Sequence, residues 1–294
     1  MHSLTFSIAG VHVTLVSTQG IRPLRLPAEY SPFECSTPEG MRPDVALDVT
    51  ALDRESAPLL AGGWSWQNES WRMGNTAAGR LLIEIHDAVS RDWRTAAHLL
   101  PDFASGTLYE REASLPASGR MPFHHPHDRA IILGRLAFMS GGMVHSSCVA
   151  AGGKALLFVG RSGAGKTTVA RLWHAEGATL LNDERNIVRA ARRGPLAGSS
   201  PWHGEENRVS PLTAPLAAVF YLKKAASNSV RDVPCAESVS RLFTATFVPV
   251  FLKDAARMIL DAWANVLEAV PSYELSFTPD RRAISACRSA VAVG

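Results

Sequence analysis

The chain is poor in charge, in cysteine and in long apolar runs, and each scarcity removes a class of protein. Only 19% of its 294 residues are charged, and 30 basic against 27 acidic side chains leave a net +3. With 46% apolar residues, that excludes disordered, acidic and coiled-coil chains and leaves a globular protein with a real core. No run of four or more Lys/Arg occurs, so nucleic acid is not an expected partner, and pairs such as Arg192-Arg193, Lys223-Lys224 and Arg281-Arg282 read as solvated surface. Four widely spaced cysteines, Cys35, Cys148, Cys235 and Cys287, form no Cys-x-x-Cys pair, which excludes a zinc ribbon or a disulfide framework and predicts free thiols. The start, Met1-His2-Ser3-Leu4-Thr5-Phe6-Ser7-Ile8, lacks the basic residues and apolar block of a signal peptide. No stretch approaches the roughly 20 apolar residues of a membrane helix. The expectation is a soluble, cytoplasmic protein with no membrane partner.

What is present alternates. Leu4, Phe6 and Ile8 share one face, and Val11, Val13 and Leu15 share one in the opposite phase across Ala9-Gly10, which predicts a bulge or tight hairpin. Val45–Val49, Trp64–Trp66, Trp71–Met73 and Leu81–Ile85 are further strand candidates between turn residues. Residues 1–120 therefore read as a small β-rich N-terminal module. Its tryptophans Trp64, Trp66 and Trp71 could form a ligand platform, but cross-strand packing is the commoner use of strand aromatics. Residues 113–126 turn to Pro, Ser, Gly and His, a linker signal. Asp128 can N-cap an apolar helix running to Phe138 and stopped by Gly141-Gly142. The cluster His124-His125-Pro126-His127 tempts a metal reading, but its proline breaks helical spacing and no Cys or second acid accompanies it.

Residues 121–294 alternate as an α/β domain. Ser146–Ala151, Ala155–Val159, Thr179–Asn182, Ile187–Arg189, Ala217–Leu222 and Tyr273–Phe277 read as strands. Thr167–Glu176, Asp254–Val270 and Pro279–Ala290 read as helices, the last with Pro in its first turn.

The chemistry is concentrated in Gly160-Arg161-Ser162-Gly163-Ala164-Gly165-Lys166-Thr167, a full G-x-x-x-x-G-K-[ST] motif between a strand and a helix. Glycines let successive N–H groups turn toward phosphate oxygens, and the helix N-terminus, including Thr168, adds to that anion site. Lys166 supplies a point charge for β and γ phosphates, and the Thr167 hydroxyl is a hard oxygen suited to Mg²⁺. Next, Leu180-Leu181-Asn182-Asp183-Glu184 delivers two acids at a strand end only 17 residues after Lys166. An acid so placed commonly holds the Mg²⁺ of a bound nucleotide. The short interval predicts that this strand lies directly beside the loop strand.

Together these residues resemble the HPr kinase/phosphorylase family, whose catalytic domain shares its fold with ATP-dependent phosphoenolpyruvate carboxykinases. The family runs His, strand, glycine turn, strand, G-x-S-G-x-G-K-[ST], helix, and a strand ending in two acids. Here His145 stands 15 residues before Gly160, Gly152-Gly153 makes the turn, and Gly177-Ala178-Thr179-Leu180-Leu181-Asn182-Asp183-Glu184 completes the pattern. The match covers about residues 143–187. It implies a P-loop kinase domain using ATP and Mg²⁺. Asp183 would be the general base toward a serine hydroxyl, with His145 beside it tuning its charge, and Lys166, Thr167, Asp183 and Glu184 would act on the phosphates and metal. Departures are Glu184 for the family's second aspartate and Thr167 for its usual serine. Segments by which bacterial members bind HPr and run the phosphorylase reaction are not recognisable. Ser200-Pro201-Trp202-His203-Gly204-Glu205 is similar to a Pro-aromatic-x-Gly-Glu segment of HPr-kinase-like proteins encoded beside modified peptides, including lasso-peptide kinases. That similarity implies Glu205 as a further metal ligand and Arg208 as a counter-charge; the alternative is a surface loop anchored by Trp202. Relatives assemble through the catalytic domain, so the resemblance also implies a homo-oligomer.

The leading expectation is an ATP-dependent kinase acting on a serine-type hydroxyl of a peptide or protein, such as a ribosomal peptide precursor gripped by the β-rich module. A kinase for free serine and a nucleotide-driven switch or ATPase without an acceptor are the alternatives. Carboxykinase chemistry fits the fold but not the length.

Overall fold

The computed structural model describes residues 2–17, 23–36, 40–52, 63–76, 78–87, 89, 92–111, 122–206 and 208–291. Most of the linker signal at 113–126 lies outside them. The protein is mixed α/β, with two large sheets and few helices, and divides into two compact units. One holds Met1–Ser7 and Val11–Arg135; the other holds Ile8–Gly10 and Leu136–Gly294. No helix among the described residues is long and apolar enough to cross a membrane.

The first unit is one sheet of β1 (His2–Ile8), β2 (Val11–Ser17), β3 (Val45–Leu52), β4 (Trp64–Gln67), β5 (Trp71–Asn75), β6 (Leu81–His86), β7 (Trp93–Leu99) and β8 (Ser105–Arg111), in the order β1-β2-β3-β8-β7-β6-β5-β4. Ala9 and Gly10 both take positive φ, 50° and 75°, which makes the first connection a tight hairpin turn. From β4 to β8 the chain meanders antiparallel, and β3 joins β8 and β2 in parallel. Val11, Val13 and Leu15 alternate inward as their period of two requires, as do Val45, Leu47 and Val49. Trp66 and Trp71 pack across β4 and β5 with ring centroids 4.0 Å apart, and the Arg72 guanidinium lies over Trp64.

Helix α1 (His127–Phe138) begins one residue earlier than its sequence signal. Asp128 is therefore not its cap. Its buried carboxylate sits in the first turn and accepts from the Tyr30 hydroxyl at 2.8 Å, beside the packed rings of Phe6, Tyr30 and Phe123. The helix ends at a turn over Met139-Ser140, and Gly141-Gly142 open the next strand instead of stopping it.

The second unit contains β9 (Gly141–Ala151), β10 (Lys154–Val159), α2 (Lys166–Ala175), β11 (Thr179–Asn182), β12 (Arg185–Arg189), β13 (Leu196–Ser199), β14 (Thr213–Lys224), β15 (Ser229–Asp232), α3 (Cys235–Thr244), α4 (Ala255–Ala269), β16 (Ser272–Phe277) and α5 (Arg282–Ala290). Two long strands, β9 and β14, each pair with different neighbours along their length. One set of pairings runs β9-β12-β13-β14 and the other β11-β9-β10-β14-β16-β15. Strand β11 thus lies against β9, not β10 as its short interval predicts. The Gly152-Gly153 turn, with φ of 55° and 75°, folds β9 back onto the free edge of β10, and β14 takes the other edge.

Period-two alternation then sorts the core. Leu156 and Phe158 of β10 join Val169, Trp173 and Ile284 from α2 and α5, while Leu157 and Val159 join Leu242, Ile259 and Trp263 from α3 and α4. A sheet covered on both faces explains the near-continuous apolar runs of β10 and β14. Helix α5 starts at Arg282, three residues beyond Pro279, and Asp280 receives the Arg282 N–H at 2.8 Å. All four cysteines are free, with Cys148 and Cys287 buried.

His127 is fully buried, its Nε2 facing the Ile83 carbonyl at 3.3 Å. Burial, reinforced by His124, holds its pKa down at about 3. An unfolded histidine titrates near ~6.5, so between those values the unfolded chain binds the extra proton and stability is lost as pH falls. Urea unfolding at stepped pH should show His127→Gln flattening the slope below pH ~6.5 by roughly 1.4 kcal/mol per pH unit relative to wild type.

Candidate functional site

The site grows from the end of β10. The chain leaves Val159 into the glycine-rich loop and enters α2 at Lys166. Gly165 precedes the helix at φ 102°, and a Cβ there would meet the Phe277 ring at 2.7 Å, so no other residue closes the loop unstrained. The Ser147 hydroxyl of β9 donates to the Lys166 carbonyl at 3.0 Å and ties the helix start to the sheet. The Lys166 ammonium reaches back across the loop to the carbonyls of Gly160 (2.9 Å) and Arg161 (3.3 Å). Burial pulls it below the usual lysine range, with Glu184 opposing. The lysine charge is thus held by two neutral carbonyls at the mouth of a glycine-rich loop, one of whose N–H groups, that of Ala164, is returned to the Arg161 carbonyl at 3.0 Å.

The acid pair is set by an amide. Asn182, fully buried at the end of β11, donates through Nδ2 to the carbonyls of Ser200 (3.0 Å) and Trp202 (3.1 Å). Its Oδ1 accepts the N–H groups of Glu184 (2.8 Å) and Arg185 (3.0 Å). One side chain thereby fixes the turn that carries both acids and the loop that faces them. Asp183 is buried, and its two oxygens accept the N–H of Gly204 (2.9 Å) and of Glu206 (3.1 Å). A Cβ at Gly204 would stand 2.8 Å from Asp183 Oδ2, so this close approach requires glycine. Glu206 in turn pairs with Arg171 of α2 at 2.6 Å.

His145 stands where β9 changes partners: it pairs with Arg185 of β12, and the next residue, Ser146, pairs with Val159 of β10. Burial and then the Lys166 charge hold its ring below the usual imidazole range, so it is neutral near pH 7. Glu184 and Arg185 are further charges bearing on it.

Two cavities meet at these groups. One of ≈ 310 Å³ is lined by Lys166, Thr167, Thr168, Asp183, Glu184 and Glu205, among others. The other, of ≈ 970 Å³, runs from Gly160–Ala164 past Arg185 and Tyr221 to Arg241 and Phe247. His145, Ser162, Gly163 and Glu184 line both. The first cavity gathers hydroxyl and carboxylate oxygens, the donor chemistry of Mg²⁺. No group of three or more His, Cys, Asp or Glu among the described residues forms a metal cage.

All the loop residues from Gly160 to Thr168, together with His145, Asp183, Glu184 and Glu205, therefore line one or both of two cavities that share four lining residues. Arg208 lies apart, its guanidinium 3.4 Å from His174 on α2. Trp202 is buried, anchoring its loop. The sequence did not single out Asn182, whose signal was an amide ending an apolar strand. Nor did it reveal Arg241 and Phe247, which the fold brings in from α3 and the chain after it. No family model matches the chain, and no curated protein is significantly similar to it.

Asn182→Ala would leave buried N–H and C=O groups unpaired. It should cost about 3 kcal/mol in urea unfolding, at 1–3 kcal/mol per orphaned group partly relieved by water.

Proposed function

We propose that the second unit is an ATP-dependent kinase of the HPr kinase/phosphoenolpyruvate carboxykinase type, transferring the γ-phosphoryl group to a serine-type hydroxyl of a peptide or protein. The observation that carries this reading is the single space in which the loop with Lys166, the Thr167 hydroxyl and the Asp183-Glu184 pair stand together and open into a larger cleft.

Loop N–H groups and Lys166 bind the phosphate chain and orient it, with the β and γ phosphates at the lysine. Thr167, Asp183 and Glu205 are the oxygens available to Mg²⁺ on the loop side, with Glu184 at the junction of the two cavities, and the ion when bound would offset phosphate charge. The first half of the loop faces the larger cleft, so the terminal phosphoryl group points toward it. An acceptor hydroxyl entering there meets the phosphorus at the junction of the cavities, where a carboxylate takes its proton. Most of the gain in such a transfer comes from position and preorganised charge. A cleft of ≈ 970 Å³ leaves room for an acceptor beside the phosphates.

The test uses γ-labelled ATP with Mg²⁺ and a mixture of serine-containing peptides. Wild type should label peptide, while Lys166→Ala and Asp183→Asn should each lose about 10²–10³-fold, the scale of one preorganised charged contact. Label released by wild type only as free phosphate would overturn the kinase in favour of an ATPase or switch.

A further inference from the structure

Two adjacent carboxylates need not share a task, and here their surroundings differ. Asp183 is buried, borders only the smaller cavity, and has a backbone N–H on each oxygen. Those bonds aim it at the loop of Gly204 and Glu206 and leave only its remaining lone pairs for the phosphate side. Glu184 is half-buried and borders both cavities. Its main chain is fixed twice, the N–H by Asn182 and the carbonyl by the Ser146 N–H at 3.0 Å, while its carboxylate lies 3.4 Å from the Arg185 guanidinium. His145 borders the same junction and shares the smaller cavity with Glu184 and Lys166. A glutamate also reaches one methylene further than an aspartate from the same backbone position.

We infer that Glu184, not Asp183, takes the proton from the acceptor hydroxyl, and that Asp183 serves the metal and phosphate side. This rests on the kinase reading above. As the acceptor oxygen forms its bond to the γ-phosphorus, the bond from that phosphorus to the bridging β-oxygen breaks and ADP leaves with the electron pair. The hydroxyl proton passes to a Glu184 carboxylate oxygen and then to solvent, so the net products are phosphoester, ADP and one proton. Arg185 keeps the carboxylate turned toward the cleft, and His145 lines both cavities beside it.

The experiment compares the full-length wild type with Glu184→Gln, Glu184→Asp and Asp183→Asn. It reads label transfer from γ-labelled ATP to serine peptides and to water, and separately the affinity for Mn²⁺ with ADP by electron paramagnetic resonance. Glu184→Gln should lower kcat by ~10²–10³-fold, the range of general-base catalysis, with the KM for ATP and Mn²⁺ affinity within about twofold of wild type. Glu184→Asp should recover part of that loss. Asp183→Asn should weaken Mn²⁺ binding at least ~10-fold, the scale on which even outer-shell partners act. Transfer by Glu184→Gln at the wild-type rate, or loss of Mn²⁺ affinity in Glu184→Gln while Asp183→Asn keeps it, overturns the assignment. If wild type passes label only to water, the kinase reading fails and Glu184 is judged on hydrolysis: a fall in Glu184→Gln supports it and no change overturns it. A wild type that turns over no ATP overturns both.

Discussion

Everything at the site depends on one strand that changes partners. Strand β9 pairs with β12 up to His145 and with β10 from Ser146 onward. At that crossing its backbone faces three segments far apart in sequence. The His145 N–H goes to Ala245 after α3, the Ser146 N–H to Glu184, and the Ser147 hydroxyl to Lys166 at the start of α2. A one-residue slip in β9 would break all three and turn its apolar set to the wrong face. The crossing is also polar and buried: Ser146, Ser147, Asn182 and Asn186 have almost no exposure, and Asn186 Nδ2 donates to the Ser146 carbonyl at 2.7 Å. In so low a dielectric each such bond is strong and each broken one costly. The pairing is therefore specified by the same contacts that place the chemistry.

What the sequence revealed was local, and what it concealed was contributed by distant partners. The glycine-rich loop, its helix and the acid pair announce themselves because each fixed residue serves a neighbour a few positions away. Strand β11 follows its apolar run to the residue, but its neighbour in the sheet does not follow from a 17-residue interval that suits either side of β9. The choice was made by Gly152-Gly153, a feature legible as a turn yet not as an obstacle. Strands β13 and β15 are only four residues long, and the second is largely exposed, so they exist through pairing more than propensity. Helix α3 follows Pro234, and its apolar stripe is legible in the sequence, yet its place beside the glycine-rich loop is not. With it went Arg241 and Phe247, the far wall of the larger cleft. Asp128 shows the opposite error, in which a good capping residue is taken by a tertiary partner, Tyr30.

The lysine illustrates how a site can be poised without being strained. Its ammonium is buried, and burial disfavours its charge; the loop carbonyls that hold it are neutral, and Glu184 is the carboxylate whose charge bears on it. Burying a cation with so little opposing charge carries a desolvation cost, and a negative charge placed beside it would offset that cost in a way a neutral group of the same size could not.

Asp183 depends on residues that read as scaffold. Its two donors belong to Gly204 and Glu206, whose loop is held by the buried Trp202, by the Asn182 amide and by the Ser200 hydroxyl, 2.7 Å from the Arg185 carbonyl. A side chain at Gly204 would push directly on the carboxylate. The Pro-Trp-His-Gly-Glu stretch thus acts less through its own acid, the exposed Glu205, than through the backbone it lays against Asp183. Because backbone donors cannot be shortened or redirected by a rotamer change, they fix the carboxylate more tightly than a salt bridge would. That rigidity suits an oxygen that must keep one position through a reaction and not one that must follow a moving proton.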